Sequence, residues 1–80
     1  MKIVCLSFTK EGEKLGNRLK CFDKHVDHYI NSQIKGGIKN ALGDIWHKYD
    51  GIIFISSTGI AVRLINPYIK DKVKDPAVVV

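Results

Sequence analysis

The apolar positions of this chain switch between two spacings. KIVCLSF (2–8) is a β-branched-rich apolar run that stops at Thr9, Lys10, Glu11 and Gly12, and it predicts a buried strand entering a turn. From Glu11 the apolar positions become Leu15, Leu19 and Phe22, a helical stripe with Gly12 and Gly16 on the same side. Two glycines there would let a helix backbone lie close to a sheet. HVDHYI (25–30) reads as a second short strand and NSQIKGG (31–37) as a loop. Ile38, Leu42, Ile45, Trp46 and Tyr49 then share one helical stripe, opposite Lys39, Asn40, Asp44, His47 and Lys48.

Asp50 and Gly51 close that helix, and IIFIS (52–56) follows as a third strand whose lack of alternation predicts cover on both faces. Ser56, Ser57, Thr58 and Gly59 break the apolar run. Residues 60–69 then predict a third helix with Pro67 near its end. DPAVVV (75–80) opens a fourth strand with Pro76 at its first position, where a missing N–H is tolerated. The order βαβαβαβ implies an α/β fold, a three-layer, mostly parallel sheet of the flavodoxin or Rossmann kind with strand three central and strands one and three adjacent.

The length of 80 residues fits a single α/β domain, 1–80, burying only about 60–65% of the surface its unfolded form exposes. No apolar run approaches a membrane helix, and the N-terminal apolar stretch is too short for a signal peptide, so the cytoplasm is the expected compartment. Cys5 and Cys21 lack a CxxC spacing and are expected to be reduced, structural thiols. His25 and His28, three apart in a strand, point to opposite faces and do not suggest a metal site; with His47 they read as ordinary surface or edge histidines. The net charge of +5 suits an anionic partner, although the lysines are scattered and only KDKVK (70–74) clusters them. Phe8, Phe22, Trp46, Tyr49 and Phe54 fall at predicted core positions, which leaves few rings for base stacking and argues against nucleic acid.

In an open parallel sheet, ligands bind beyond the carboxyl ends of the strands where the strand order reverses. With an order of 2-1-3-4 that point lies between strands one and three, and it sets Ser7, Thr9 and Lys10 beside Ser56, Ser57, Thr58 and Gly59. The first N–H groups of a helix lack internal partners and carry partial positive charge, so negative oxygen is favoured there. Ser57 or Thr58 can cap the helix, Gly59 lets a ligand approach the backbone, and the Arg63 guanidinium can grip a carboxylate. The notch is neither a GxGxxG fingerprint nor a GxxxxGK[ST] phosphate loop. The ligand-binding candidates are Ser7, Thr9, Ser57, Thr58, Gly59, Ile60 and Arg63; no catalytic residue and no metal ligand is assigned.

The tail YDGIIFISSTGIAVRLINPYIKDKVKDPAVVV (49–80), with TGIAVR, INPYIKDK and DPAVVV in that order, resembles the N-terminal region of the CbiG family, the cobalt-precorrin-5A hydrolases of anaerobic cobalamin synthesis. The resemblance implies an enzyme that opens the δ-lactone of a cobalt corrinoid with release of acetaldehyde. It also implies Thr58, Gly59 and Ile60 as donors to an oxyanion or carboxylate, and cobalt only as part of the substrate, with no cofactor. The family continues past DPAVVV with a SLLSGHxGGAN segment, so the resemblance covers the N-terminal part of a longer enzyme, and a chain without that segment is expected to be inactive alone. The alternative is a non-catalytic small-ligand or corrinoid-binding module. Self-association or docking to a partner polypeptide is expected through the uncharged edge at Val78, Val79 and Val80 and the broad apolar arc of the third helix.

Overall fold

The computed structural model describes residues 1–69 and 75–80; the basic cluster at 70–74 lies outside the described residues. The strands are β1 (Ile3–Ser7), β2 (Val26–Ile30), β3 (Gly51–Ile55) and β4 (Ala77–Val79), and the helices α1 (Lys10–Phe22), α2 (Ile38–Lys48) and α3 (Thr58–Ile65). All strand pairs are parallel, in the order β2-β1-β3-β4. Strands β1 and β3 are adjacent, as the sequence predicts, and the strand order reverses between them; both are internal to the sheet.

Local chemistry sets the element ends. Thr9 caps α1 by accepting from the Gly12 N–H at 3.0 Å, with Glu11 and Glu13 in the first turn, where the helix dipole favours negative charge. Before α2, Gly36 and Gly37 take φ values of 81° and 78°, a left-handed region open to glycine at little cost. The Asn31 side chain then accepts from the Ile38 N–H at 2.8 Å and holds that turn against the helix start. The third helix is shorter than residues 60–69: α3 ends at Ile65 and continues as a 3-10 turn, Asn66–Tyr68, because Pro67 has no N–H for another α-turn.

The core lies on one side of the sheet. Val4, Leu6, Ile52 and Phe54 meet Ile38, Leu42, Ile45, Trp46 and Tyr49 of the α2 segment and Ala61 of α3. Phe8 stacks on Phe54, and Trp46 packs on Tyr68. At the rim, the Tyr49 hydroxyl donates to the Asp27 carboxylate, and burial, reinforced by that bond, pushes the phenol well above its usual range.

The other face carries α1, which lies mainly over β1 and β2 and buries Gly16 against His28 and Gly12 against the Ile55 end of β3. Here two sequence expectations are corrected. Phe22 is 95% exposed rather than in the core, and Leu15 is 48% exposed, because the apolar stripe of α1 is wider than the contact its two glycines make. Likewise β3 alternates: Ile52 and Phe54 are buried, whereas Ile53 and Ile55 are only half-buried, since α1 lies mainly over β1 and β2. Cys5 is buried on this side, which pushes its thiol pKa up, and Cys21 is exposed; both are free.

Candidate functional site

Register builds the site. Ser7 pairs with Ile55, so the β1–α1 and β3–α3 connections leave the sheet at the same level, with Thr9 and Ser57 each two residues beyond that pair. The first turn of α1 closes on the end of β3: a Cβ placed on Gly12 would stand 3.2 Å from the Ile55 carbonyl oxygen and 3.1 Å from its Cγ2. The switch point thus has the first turn of α1 on one side and the start of α3 on the other.

On the α3 side, Ser57 is the N-cap, and its hydroxyl accepts from the Ile60 N–H at 3.4 Å. The Ile60 N–H is therefore engaged, and Ala61 bonds the Ser57 carbonyl at 3.2 Å. That leaves the N–H groups of Thr58 and Gly59 as the helix donors without an internal partner. Ser57, Thr58, Gly59 and Ile60 are all exposed, and nothing lies within 4 Å of the place a Gly59 side chain would occupy. The fold itself makes no steric demand for glycine at this position. Arg63, one turn further along α3, is exposed and forms no ion pair among the described residues.

On the α1 side the candidates separate. Thr9 is exposed, and with its oxygen accepting from Gly12 its O–H remains free to donate into the crevice. Ser7 is fully buried. Its hydroxyl is enclosed beneath α1 and lies 2.8 Å from His28 Nε2, so it does not line the crevice as the sequence reading supposes.

His28 is the residue that sequence reasoning missed. Its Nδ1 stands 3.2 Å from Asn17 Oδ1, and both bonds are satisfied by the tautomer in which Nδ1–H donates to the amide oxygen and Nε2 accepts the Ser7 hydroxyl. The ring occupies the space a Gly16 side chain would need, with Nε2 only 2.3 Å from that Cβ position. Burial lowers the His28 pKa, opposed by Glu13 and assisted by Lys20. A Ser–His–Asn sequence of bonds has the connectivity of a hydrolytic triad, but its serine is sealed from solvent, so the geometry is that of a clasp between sheet and helix. The signal that could have found it is Gly16: a glycine on a sheet-facing helical position marks a large neighbour.

Elsewhere, a polar hollow of about 600 Å³ opens at the amino ends of the strands, lined by residues that include Lys2, Asp23, Asp27 and Lys48. It lies at the opposite end of the sheet from the crevice. Among the described residues no group of three His, Cys, Asp or Glu side chains gathers as a metal site, and no helix is long and apolar enough to cross a membrane.

Comparison with known proteins bears on the same region. A family profile described as cobalamin synthesis G N-terminal matches residues 40–80, which contain β3, the notch and α3. The chain is 49% identical over 45 residues to the cobalt-precorrin-5A hydrolase of Salmonella typhimurium, covering 56% of this chain and 13% of that protein. It is 32% identical over 88 aligned positions to the cobalt-precorrin-5A hydrolase of Priestia megaterium, covering 94% of this chain and 24% of that one. Among solved structures, a cobalamin biosynthesis protein G homolog from Sulfolobus solfataricus superposes with a TM-score of 0.72 at 30% identity, over 96% of this chain and 24% of the other. The chain spans a quarter or less of the length of these relatives. With half of its residues matched by the profile and nearly all of them aligned to the Priestia megaterium protein, the chain belongs to the cobalamin synthesis G N-terminal family.

Proposed function

We propose that this chain supplies the N-terminal, carboxylate-gripping part of a cobalt-precorrin-5A hydrolase in cobalamin biosynthesis. The observation that carries the reading is the coincidence of the profile match with the open end of α3: the matched residues include the unpartnered N–H groups of Thr58 and Gly59 and the exposed Arg63. A cobalt corrinoid is large, flat and fringed with acetate and propionate groups. One such carboxylate would seat on the helix start, with Thr9 across the crevice and the Arg63 fork closing on it. In lactone opening the same N–H pair could instead stabilise the oxyanion formed when water attacks the carbonyl. Cobalt enters as part of the substrate, and the working compartment is the cytoplasm.

The test is an equilibrium titration of the chain with cobyrinic acid, a cobalt corrinoid polycarboxylate, followed by its visible absorption. Saturable binding is expected. Arg63→Ala should weaken it by about 1.5–3 kcal/mol, the size of a charged hydrogen bond. Loss of less than about 0.5 kcal/mol would make Arg63 an ordinary surface residue, and absence of binding would remove the reading.

A second reading, docking on a polypeptide, is favoured by a separate observation. Leu15, Phe22 and Val79 leave apolar surface exposed on and beside the α1 side. Such a face favours association. Sedimentation of the purified chain should show concentration-dependent association, reduced by Val79→Lys; a stable monomer at high concentration would refute it.

A further inference from the structure

The Ser7–His28–Asn17 bonds tie α1 to the paired strands β1 and β2, and among the described residues they are the side-chain hydrogen bonds that do so. The helix rests on the imidazole at Gly16, and one turn earlier, at Gly12, it meets the end of β3 immediately before the Ser56–Ser57 connection. A short bar of helix thus runs from His28 to the crevice wall. Because Ser7 is fully buried, its hydroxyl hydrogen depends on the acceptor that Nε2 provides.

We propose that His28 is a positioning residue for the crevice, holding the first turn of α1 against β3 only while its ring is neutral. The proposal rests on the corrinoid-carboxylate reading for its ligand, not for its geometry. When the ring gains a proton, both nitrogens become donors. Nδ1–H keeps Asn17, but Nε2–H now points at Ser7, whose hydroxyl must accept it and turn its own hydrogen toward a buried space. The strain is relieved by lifting α1, which withdraws Gly12 and Thr9 from the crevice.

The charged and titratable groups around the ring are Glu13 and Lys20 on α1 and, on β1, Cys5, which pairs with His28 in the sheet. Burial holds the Cys5 thiol protonated, so it offers no counter-charge to an imidazolium. Glu13 and Lys20 act in opposite senses, and burial of the ring dominates both in favouring the neutral form.

The sign of the effect distinguishes this clasp from general electrostatics. Protonating histidines on a basic domain should tighten binding of a polycarboxylate. A clasp that opens should weaken it, by up to about tenfold for each unit of pH below the His28 midpoint. The experiment is the cobyrinic acid titration from about pH 7.5 to about pH 4.5, carried below the ordinary histidine range because burial lowers the His28 pKa, on the natural chain and on His28→Gln. The glutamine oxygen can accept from Ser7 but does not titrate. Weakening at low pH in the natural chain and a flat profile in the variant are expected, with circular dichroism unchanged in both. Parallel profiles, or tightening in both, would overturn the proposal.

If neither chain binds the corrinoid at any pH, the functional reading fails, and the clasp is judged by nuclear magnetic resonance instead. The amide shifts of Lys10, Gly12 and Gly16 should follow the titration of the His28 ring in the natural chain and stay still in His28→Gln. Amides indifferent to that titration would overturn the clasp by itself.

Discussion

Phe54→Ala is expected to remove a large share of the stability of the fold. The ring is 1% exposed, stacks on Phe8 and sits in the cluster formed by the sheet, α2 and α3. Truncating a buried phenylalanine costs about 3–5 kcal/mol, whereas a domain of this length has on the order of 4–12 kcal/mol in total. Urea unfolding read by Trp46 fluorescence measures the change, since Trp46 is buried in the same cluster. Phe22→Ala is the control: at 95% exposure the same chemistry should shift stability by about 0.5 kcal/mol or less. Equal losses at the two positions would mean that the core lies elsewhere.

The second large effect is a reversal of sign between two glycines on helices. Gly16→Ala puts a Cβ 2.3 Å from His28 Nε2, so the ring must leave and the buried Ser7 hydroxyl loses its acceptor. Overpacking costs about 1–3 kcal/mol and an unsatisfied buried hydroxyl about 1–3 kcal/mol; against these stands a helix-propensity gain of about 1 kcal/mol. A net loss of about 1–5 kcal/mol is expected from these combined terms. Gly59→Ala meets nothing within 4 Å and should instead stabilise α3 by about 0.5–1 kcal/mol. Denaturant midpoints at constant slope decide the matter. If Gly16→Ala is as harmless as Gly59→Ala, the ring is not seated where the clasp requires it.

Gly59 thereby acquires a functional meaning that Gly16 does not have. The fold requires Gly16 for packing, but it leaves the Gly59 position open. A stabilising Gly59→Ala that also weakens corrinoid binding would show that the ligand approaches the backbone there. Unchanged binding would leave the notch as a helix cap.

How much of this was legible beforehand follows from the range of each interaction. Element type and order come from spacing and punctuation: the 3.6-residue stripe of Ile38, Leu42, Ile45 and Trp46, the apolar run of β3, and the breaks at Gly36–Gly37 and Ser56–Gly59 are all local in the chain. The strand order and switch point follow because right-handed crossovers leave few topologies. The cap at Ser57 and the open backbone donors beyond it are local too, and so were readable in the letters.

What the letters could not fix are the contacts between residues far apart. KIVCLSF and IIFIS look alike in composition, yet β1 has four buried residues and β3 only two, because where α1 lies across the sheet depends on packing rather than pattern. Phe22 continues a stripe whose partner surface does not reach it. Ser7 and His28, 21 positions apart, meet only through the parallel register of β1 and β2, and that register turns a hydroxyl expected at the crevice into the anchor beneath it. Sequence determined which elements form and where a helix end lies open, since those are set by neighbours in the chain. Tertiary structure decided which side chains reach that opening, because burial and hydrogen-bond partners are set by neighbours in space.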